Sequence, residues 1–124
     1  MSLVDANIIL RYLLDDHETL SAQAANIIEQ NVVSLPMEVA CEVVYVLQKV
    51  YKVARPEIRQ NLQALLDEQL IQMQEPVVFL KALEAFTTTR LDFVDTLLWA
   101  YCHVNQQRIF TFDEKLKKYI RENS

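Results

Sequence analysis

The chain has 124 residues, of which 52% are hydrophobic and 23% are charged, a composition typical of one globular domain. Its net charge of −5 excludes a general electrostatic attraction to nucleic acid, so contact with RNA or DNA requires a local basic patch or a bound cation. The chain contains no glycine, which excludes glycine-rich phosphate-binding loops.

The elements are predicted from the spacing of apolar residues. Residues 3–4 form a first short strand. Apolar positions at helical spacing then predict two helices, within residues 8–13 and 20–28. The apolar run of residues 32–35 predicts a second, buried strand.

Three prolines begin the next three helices, because proline at the first helical position sacrifices no hydrogen bond. They are Pro36, Pro56 and Pro76. A weak third strand is predicted at residues 70–73.

Asp92 is predicted to cap the next helix, and a fourth strand follows at residues 109–112. Residues 114–120 form a short, basic last helix. Strands that alternate with helices predict a parallel sheet covered by helices on both faces.

The chain is expected to be cytoplasmic. No apolar run approaches the ~18 residues that a membrane span requires, and the first residues do not resemble a signal peptide. Cys41 and Cys102 lie in helical patterns, which favours buried free thiols in a reducing compartment over a disulfide. His17 and His103 are isolated and no Cys-x-x-Cys is present, so a zinc site is not expected.

Four acids suggest a function. Asp5 and Asp113 follow the first and fourth predicted strands, at the carboxyl edge where open α/β sheets bind ligands. Glu42 and Asp95 lie on helices that could flank this edge. Converging carboxylates repel one another unless a cation intervenes, and oxygen ligands favour Mg²⁺ or Mn²⁺. Such a site supports phosphodiester hydrolysis.

Each acid also has a structural interpretation. Asp5 and Asp113 are good N-caps, Asp92 and Asp95 can serve one helix start together, and Glu42 can be a solvated helix-edge residue. A non-catalytic binding module therefore stays open, as does a phosphoacceptor signalling domain with acidic caps. The signalling alternative is disfavoured because no aspartate follows the third strand, and a phosphatase would need Asp-x-Asp where Asp5-Ala6-Asn7 stands.

Four segments together resemble the motifs of the PIN-domain nucleases, and within that family the VapC-type toxins of toxin–antitoxin pairs. They are residues 4–12, 41–47, 91–98 and 111–116, in the order and at the intervals that the family shows. The resemblance covers nearly the whole chain.

The resemblance implies an α/β fold: a single PIN-like domain over residues 1–124, built as a three-layer α/β/α sandwich. Its central parallel sheet would have four strands, or five if an edge strand forms. It implies an Mg²⁺- or Mn²⁺-dependent endoribonuclease that hydrolyses RNA, forms a homodimer and is inhibited by a small antitoxin protein.

The resemblance also implies roles for individual residues. The catalytic and metal-binding residues would be Asp5, Glu42, Asp95 and Asp113. Supporting residues would be Asn7, Asp92 and Thr111. Four basic residues are candidates for phosphate contact, although clusters this small are also common on ordinary protein surfaces: Arg11, Lys115, Lys117 and Lys118.

Overall fold

The computed structural model describes residues 2–123, which are mostly helical. Seven helices occur within this part of the chain: α1 (Ala6–Leu14), α2 (Glu18–Gln30), α3 (Met37–Lys49), α4 (Arg55–Asp67), α5 (Pro76–Thr88), α6 (Phe93–Asn105) and α7 (Glu114–Asn123). Each corresponds to a helix predicted from the sequence, so the predicted number and order of the helices are confirmed.

The strands form a much smaller sheet than predicted. Strand β1 (Ser2–Leu3) pairs in parallel with β2 (Val33–Ser34), with Ser2 opposite Val33 and Leu3 opposite Ser34. The third predicted strand contributes only an isolated bridge between Ser34 and Gln72. Two backbone bonds hold it, from the Leu35 amide to the Gln72 carbonyl at 2.8 Å and from the Gln72 amide to the Val33 carbonyl at 2.9 Å.

The prediction of a three-layer α/β/α sandwich around a four- or five-stranded sheet is therefore wrong for residues 2–123. Its fourth strand is absent there, because residues 106–113 belong to neither helix nor strand. A strand needs a neighbour to satisfy its backbone groups, and apolar runs alone do not supply one. Phe110 and Phe112 are 82% and 98% exposed, whereas a strand at the centre of a covered sheet would bury them.

The chain divides into two compact units, Met1–Gln74 and Glu75–Ser124. In the first unit, α1 packs against α2 and α3, and α3 also contacts α4. The amphipathic patterns of these helices place fully buried side chains in a common core, among them Ile9, Val44, Leu47 and Leu62.

The second unit is built on the packing of α5 against α6, with α7 contacting α6. The ring of Phe93 meets the rings of Phe79 and Phe86 edge-on, with centroids 5.8 and 5.6 Å apart. These edge-to-face contacts fix the start of α6, where Asp92 and Asp95 lie. The prediction of one domain over the whole chain stays a prediction.

The absence of glycine has a visible effect on the turns. Four described non-glycine residues adopt positive φ angles, at Asp15 (47°), Lys52 (56°), Gln69 (59°) and Gln106 (57°). Asp15 and Gln106 are the C-caps of α1 and α6, positions that glycine usually occupies. Asn31, the C-cap of α2, instead has an extended backbone with φ of −135°.

None of the helices within residues 2–123 has both the length and the apolar character needed to cross a bilayer.

Candidate functional site

An open cleft of about 320 Å³ in the first unit contains two of the four predicted catalytic acids. Asp5 precedes α1, and Glu42 projects from the second turn of α3. The cleft exists because α1 packs directly against α3. Its lining also includes Asn7, Arg11, Val46, Val50 and Tyr51.

Asp5 is both an N-cap and a lining residue of this cleft. Its Oδ1 accepts a hydrogen bond of 3.2 Å from the Ile8 amide, as the structural interpretation of the sequence predicted. A carboxylate has two oxygens and about four acceptor positions, so capping leaves Asp5 able to bind a second partner. The cap holds the carboxylate in place and does not consume it.

Glu42 and Asn7 make no hydrogen bond or ion pair among residues 2–123. Both are exposed, and Glu42 lies at the edge of the apolar face of α3 whose buried members include Val43. The cleft therefore contains two carboxylates and one amide that are accessible to a ligand.

Arg11 is held firmly at the side of the cleft. Its Nη1 donates to Asp16 Oδ1 at 2.7 Å, and its Nη2 donates to the Tyr51 hydroxyl at 2.8 Å. Tyr51 lies just beyond α3, which ends at Lys49. The role of Tyr51 was therefore missed, and no local sequence signal marks a contact over 40 positions.

A second group of acids lies in the second unit, where Asp95 occupies the first turn of α6. Burial raises the pKa of the Asp95 carboxyl, and the nearby negative charges of Asp113 and Asp92 raise it further. Asp113 and Asp92 therefore lie close enough to Asp95 for their charges to act on its carboxyl. Asp95 has no hydrogen-bond or ion-pair partner among residues 2–123 that would offset this repulsion.

Asp92 occupies the N-cap position of α6, but its side chain forms no capping hydrogen bond. The capping arrangement of Asp92 with Asp95, which the sequence left open, is therefore not formed. Asp113 does cap: its Oδ1 accepts from the Leu116 amide at 2.9 Å. The Asp113 amide in turn donates to Thr111 Oγ1 at 3.1 Å, so Thr111 orients the residue.

The basic candidates differ in their surroundings. Lys117 approaches Glu114 at 3.4 Å, one turn away on α7, whereas the neighbouring Lys115 and Lys118 are simply exposed. All three lie on the surface of the second unit, and Arg11 lies in the cleft of the first.

Carboxylate oxygens are the type of ligand that a hard divalent cation prefers. Asp5 and Glu42 share one cleft, and Asp95 is repelled by Asp113 and Asp92, a repulsion that a bound cation would relieve. No group of three or more His, Cys, Asp or Glu residues among residues 2–123 is arranged as a ready-made metal site. One site made of all four predicted acids stays a prediction.

Comparison with known proteins identifies the family. Searches of curated proteins and of solved structures find no match. The family model described as "PIN domain" matches residues 2–122, which is nearly the whole chain. PIN domains are generally nucleases and typically use divalent metal ions. The match covers both acidic groups described above, and the chain therefore belongs to the PIN-domain family.

Proposed function

We propose that the protein is an endoribonuclease that depends on Mg²⁺ or Mn²⁺ and hydrolyses phosphodiester bonds of RNA. The observation that carries this proposal is the uncompensated charge of the acids. Asp95 is repelled by Asp113 and Asp92 and has no partner among the described residues to offset it. Holding a partly buried carboxylate beside two others without a partner lowers the stability of the folded state. A bound cation would remove this cost by neutralising the repulsion.

The metal ligands would be Asp5, Glu42, Asp95 and Asp113. When bound, a divalent cation supplies activation of the attacking water and neutralisation of charge on the phosphate. The chain's own residues position these ligands. The α1 and α7 caps fix the Asp5 and Asp113 carboxylates, and Thr111 orients Asp113.

Two further residues would support the metal ligands. Asn7, in the cleft beside Asp5, can donate a hydrogen bond to a substrate or to a bound water. Asp92, whose side chain is free of the helix cap, adds negative charge beside Asp95.

The contacts to the RNA backbone would come from basic residues near each acidic group. Arg11 presents a guanidinium in the cleft, and its planar donors suit phosphate oxygens. Lys115, Lys117 and Lys118 would supply further positive charge in the second unit.

We further propose that the protein is the cytoplasmic toxin of a type II toxin–antitoxin pair, that it forms a homodimer, and that a small antitoxin protein inhibits it. The resemblance of the four motif segments to VapC-type toxins supports this assignment. Exposed apolar side chains in the first unit, including Leu3 at 73% and Val32 at 59%, also favour contact with another protein chain. Light scattering with and without the co-expressed partner tests both associations.

A non-catalytic binding module is the second candidate. The capping bonds of Asp5 and Asp113 favour it, because they give these acids a structural purpose without any metal. It does not account for Asp92, Asp95 or Glu42, because none of their side chains forms a capping hydrogen bond.

The proposal is tested by incubating the purified protein, free of any co-purified partner, with a mixed RNA pool and Mn²⁺. Parallel reactions contain EDTA or the Asp95→Asn variant. Cleavage should occur in the first reaction and disappear in the other two.

The matched control is Asp67→Asn, an exposed aspartate at the end of α4 with no predicted role. Cleavage by this variant should equal that of the wild type. Cleavage that persists in Asp95→Asn would contradict the assigned site, and failure of the folded protein to cleave any RNA would favour the binding module.

A further inference from the structure

Arg11 supplies the positive charge in the lining of the cleft that contains Asp5 and Glu42. Asp16 already compensates this charge, because its Oδ1 accepts a hydrogen bond from Arg11 Nη1 at 2.7 Å. A compensated guanidinium exerts little net attraction on an anion. Its value to a bound phosphate is therefore directional, since its planar N–H donors must point at the phosphate oxygens.

Two anchors from different parts of the chain fix the direction of these donors. Asp16 follows α1 and holds Nη1 of Arg11, whereas the hydroxyl of Tyr51 follows α3 and accepts from Nη2 at 2.8 Å. Because each terminal nitrogen is bonded, the guanidinium plane cannot turn without breaking one of the two bonds. A guanidinium has five N–H donors, so these two bonds leave three for a ligand.

The backbone around Tyr51 holds its hydroxyl in position. The Tyr51 amide donates to the Val46 carbonyl at 3.2 Å, and the Val53 amide donates to the Leu47 carbonyl at 2.9 Å. Lys52, between these two amides, has a φ of 56°, a left-handed conformation that turns the chain after α3. The segment therefore offers the hydroxyl as a fixed acceptor, and such rigid support keeps a binding side chain in its productive geometry.

From these contacts we propose that Tyr51 is a positioning residue, which orients Arg11 so that its remaining N–H donors bind one phosphate of the substrate. The inference rests on the proposed ribonuclease function and adds a residue that acts through Arg11. Tyr51 lies outside the four segments that resemble the family motifs, so the resemblance assigns it no role. All the contacts involved lie within the unit Met1–Gln74.

The test is steady-state cleavage of a fluorogenic RNA of mixed sequence in Mn²⁺, with kcat and KM measured separately. Tyr51→Phe deletes only the hydroxyl and should raise KM about 2- to 10-fold, as the loss of one hydrogen bond predicts, while kcat stays within about twofold. A purely structural role would instead reduce the amount of folded enzyme, which lowers the apparent kcat and leaves KM unchanged. Tyr45→Phe, a matched tyrosine substitution on α3, should leave both constants at their wild-type values.

A double-mutant cycle tests whether Tyr51 acts through Arg11. Arg11→Ala should raise KM about 10-fold or more, because hydrogen bonds from a charged group are the stronger ones. Adding Tyr51→Phe to Arg11→Ala should cause no further rise, because the group that Tyr51 orients is already gone. Arg11→Lys keeps the charge but not the planar arrangement of donors, so its KM should also rise.

A second measurement does not depend on cleavage. Nitrogen NMR of the Arg11 guanidinium reports rotation about the bond between Cζ and Nε. This rotation should be slow in the wild type, where both terminal nitrogens are bonded, and faster in Tyr51→Phe, where one anchor is lost.

An unchanged KM for Tyr51→Phe would overturn the proposal, as would unchanged rotation of the Arg11 guanidinium. An additive rise of KM in the double variant would also overturn it, because Tyr51 would then contact the RNA directly. If the wild type cleaves RNA and Tyr51→Phe behaves like it, this inference alone is wrong. If the folded wild type cleaves no RNA, the ribonuclease function is refuted and this inference falls with it.

Discussion

The guanidinium of Arg11 donates a hydrogen bond of 2.8 Å to the hydroxyl of Tyr51, which lies 40 residues further along the chain. The bond joins α1 to the segment that follows α3, and both residues line the cleft that contains Asp5 and Glu42. Arg11 is held on its other side by Asp16 at 2.7 Å. The side of the cleft is thus braced by a charged hydrogen-bond network.

Removing this bond should lower stability modestly. Tyr51→Phe deletes only the hydroxyl, and a partly exposed hydrogen bond contributes about 0.5–1 kcal/mol to the free energy of unfolding. Urea denaturation measures the loss. Tyr45→Phe is the matched control, because Tyr45 is 62% exposed and makes no hydrogen bond within residues 2–123, so its substitution should change little. Equal effects of the two variants would contradict the bracing role of Tyr51.

The raised pKa of Asp95 predicts a pH dependence of stability in metal-free buffer. Burial first, and then Asp113 and Asp92, raise this pKa in the folded state above the ordinary value of 3.8. Between the unfolded and folded pKa values, the folded state binds more protons than the unfolded state. The contribution of Asp95 to stability therefore falls as the pH rises through this window, which begins near 3.8.

Asp95→Asn lacks this titration. The melting temperature of the variant minus that of the wild type should therefore increase between pH 3 and pH 7, when both are measured by calorimetry in EDTA. A difference that stays constant across this range would show that Asp95 has an ordinary environment.

The caps allow the structural and catalytic roles of Asp113 to be separated. Asp113→Ala removes the bond to the Leu116 amide and should destabilise the protein by about 1 kcal/mol. Asp113→Asn keeps a good capping side chain and should retain near wild-type stability, yet lose RNA cleavage because the charge is gone. Denaturant unfolding and the Mn²⁺ cleavage assay measure the two effects. If the Asp113→Asn variant still cleaves RNA, Asp113 acts only as a helix cap and not as a metal ligand.

Mn²⁺ should stabilise the wild-type protein. A ligand that binds only the folded state at about 100 times its Kd adds about 2.7 kcal/mol, which raises the melting temperature by several degrees. Asp5→Asn and Asp95→Asn should reduce this shift, whereas Asp67→Asn should not. If the wild type shows no shift in millimolar Mn²⁺, the acids do not form a metal site.

Glycine should be favourable at a left-handed C-cap. Gln106 ends α6 with φ of 57° and ψ of 32°, a conformation that costs a non-glycine residue about 1–2 kcal/mol. Glycine relieves this strain but loses more chain entropy, so Gln106→Gly should stabilise the protein by about 0.5–1 kcal/mol. The same change at Asn31, where φ is −135°, should destabilise it. Thermal denaturation measures the stability of the two variants. Stabilisation at both positions would show that the left-handed backbone at Gln106 is not the cause of the effect.

The helices and caps could be predicted from the sequence because their causes are local. The prolines in the first turns of α4 and α5, the apolar spacing within α3, and the aspartates before α1 and α7 act within one or two helical turns. The helices of the structure begin where the prolines and capping aspartates predict them. The four acids were also recognisable, because their motifs are short and continuous in sequence.

The strands were predicted less well because their stability is not local. Residues 70–73 and 109–112 have apolar runs similar to that of residues 32–35, but only residues 33–34 form a paired strand. Whether a run becomes a strand depends on a neighbour that satisfies its backbone groups, and that neighbour is distant in sequence.

By itself, the sequence determined the seven helices, the capping aspartates and the family motifs, because each depends on residues within a few positions of one another. Only the tertiary structure decided the rest. It paired β1 with β2, brought Asp5 and Glu42 to one cleft, joined Arg11 to Tyr51, and placed Asp113 near enough to Asp95 to raise the pKa of Asp95. These relationships depend on packing between segments far apart in the chain, which no local pattern of side chains specifies.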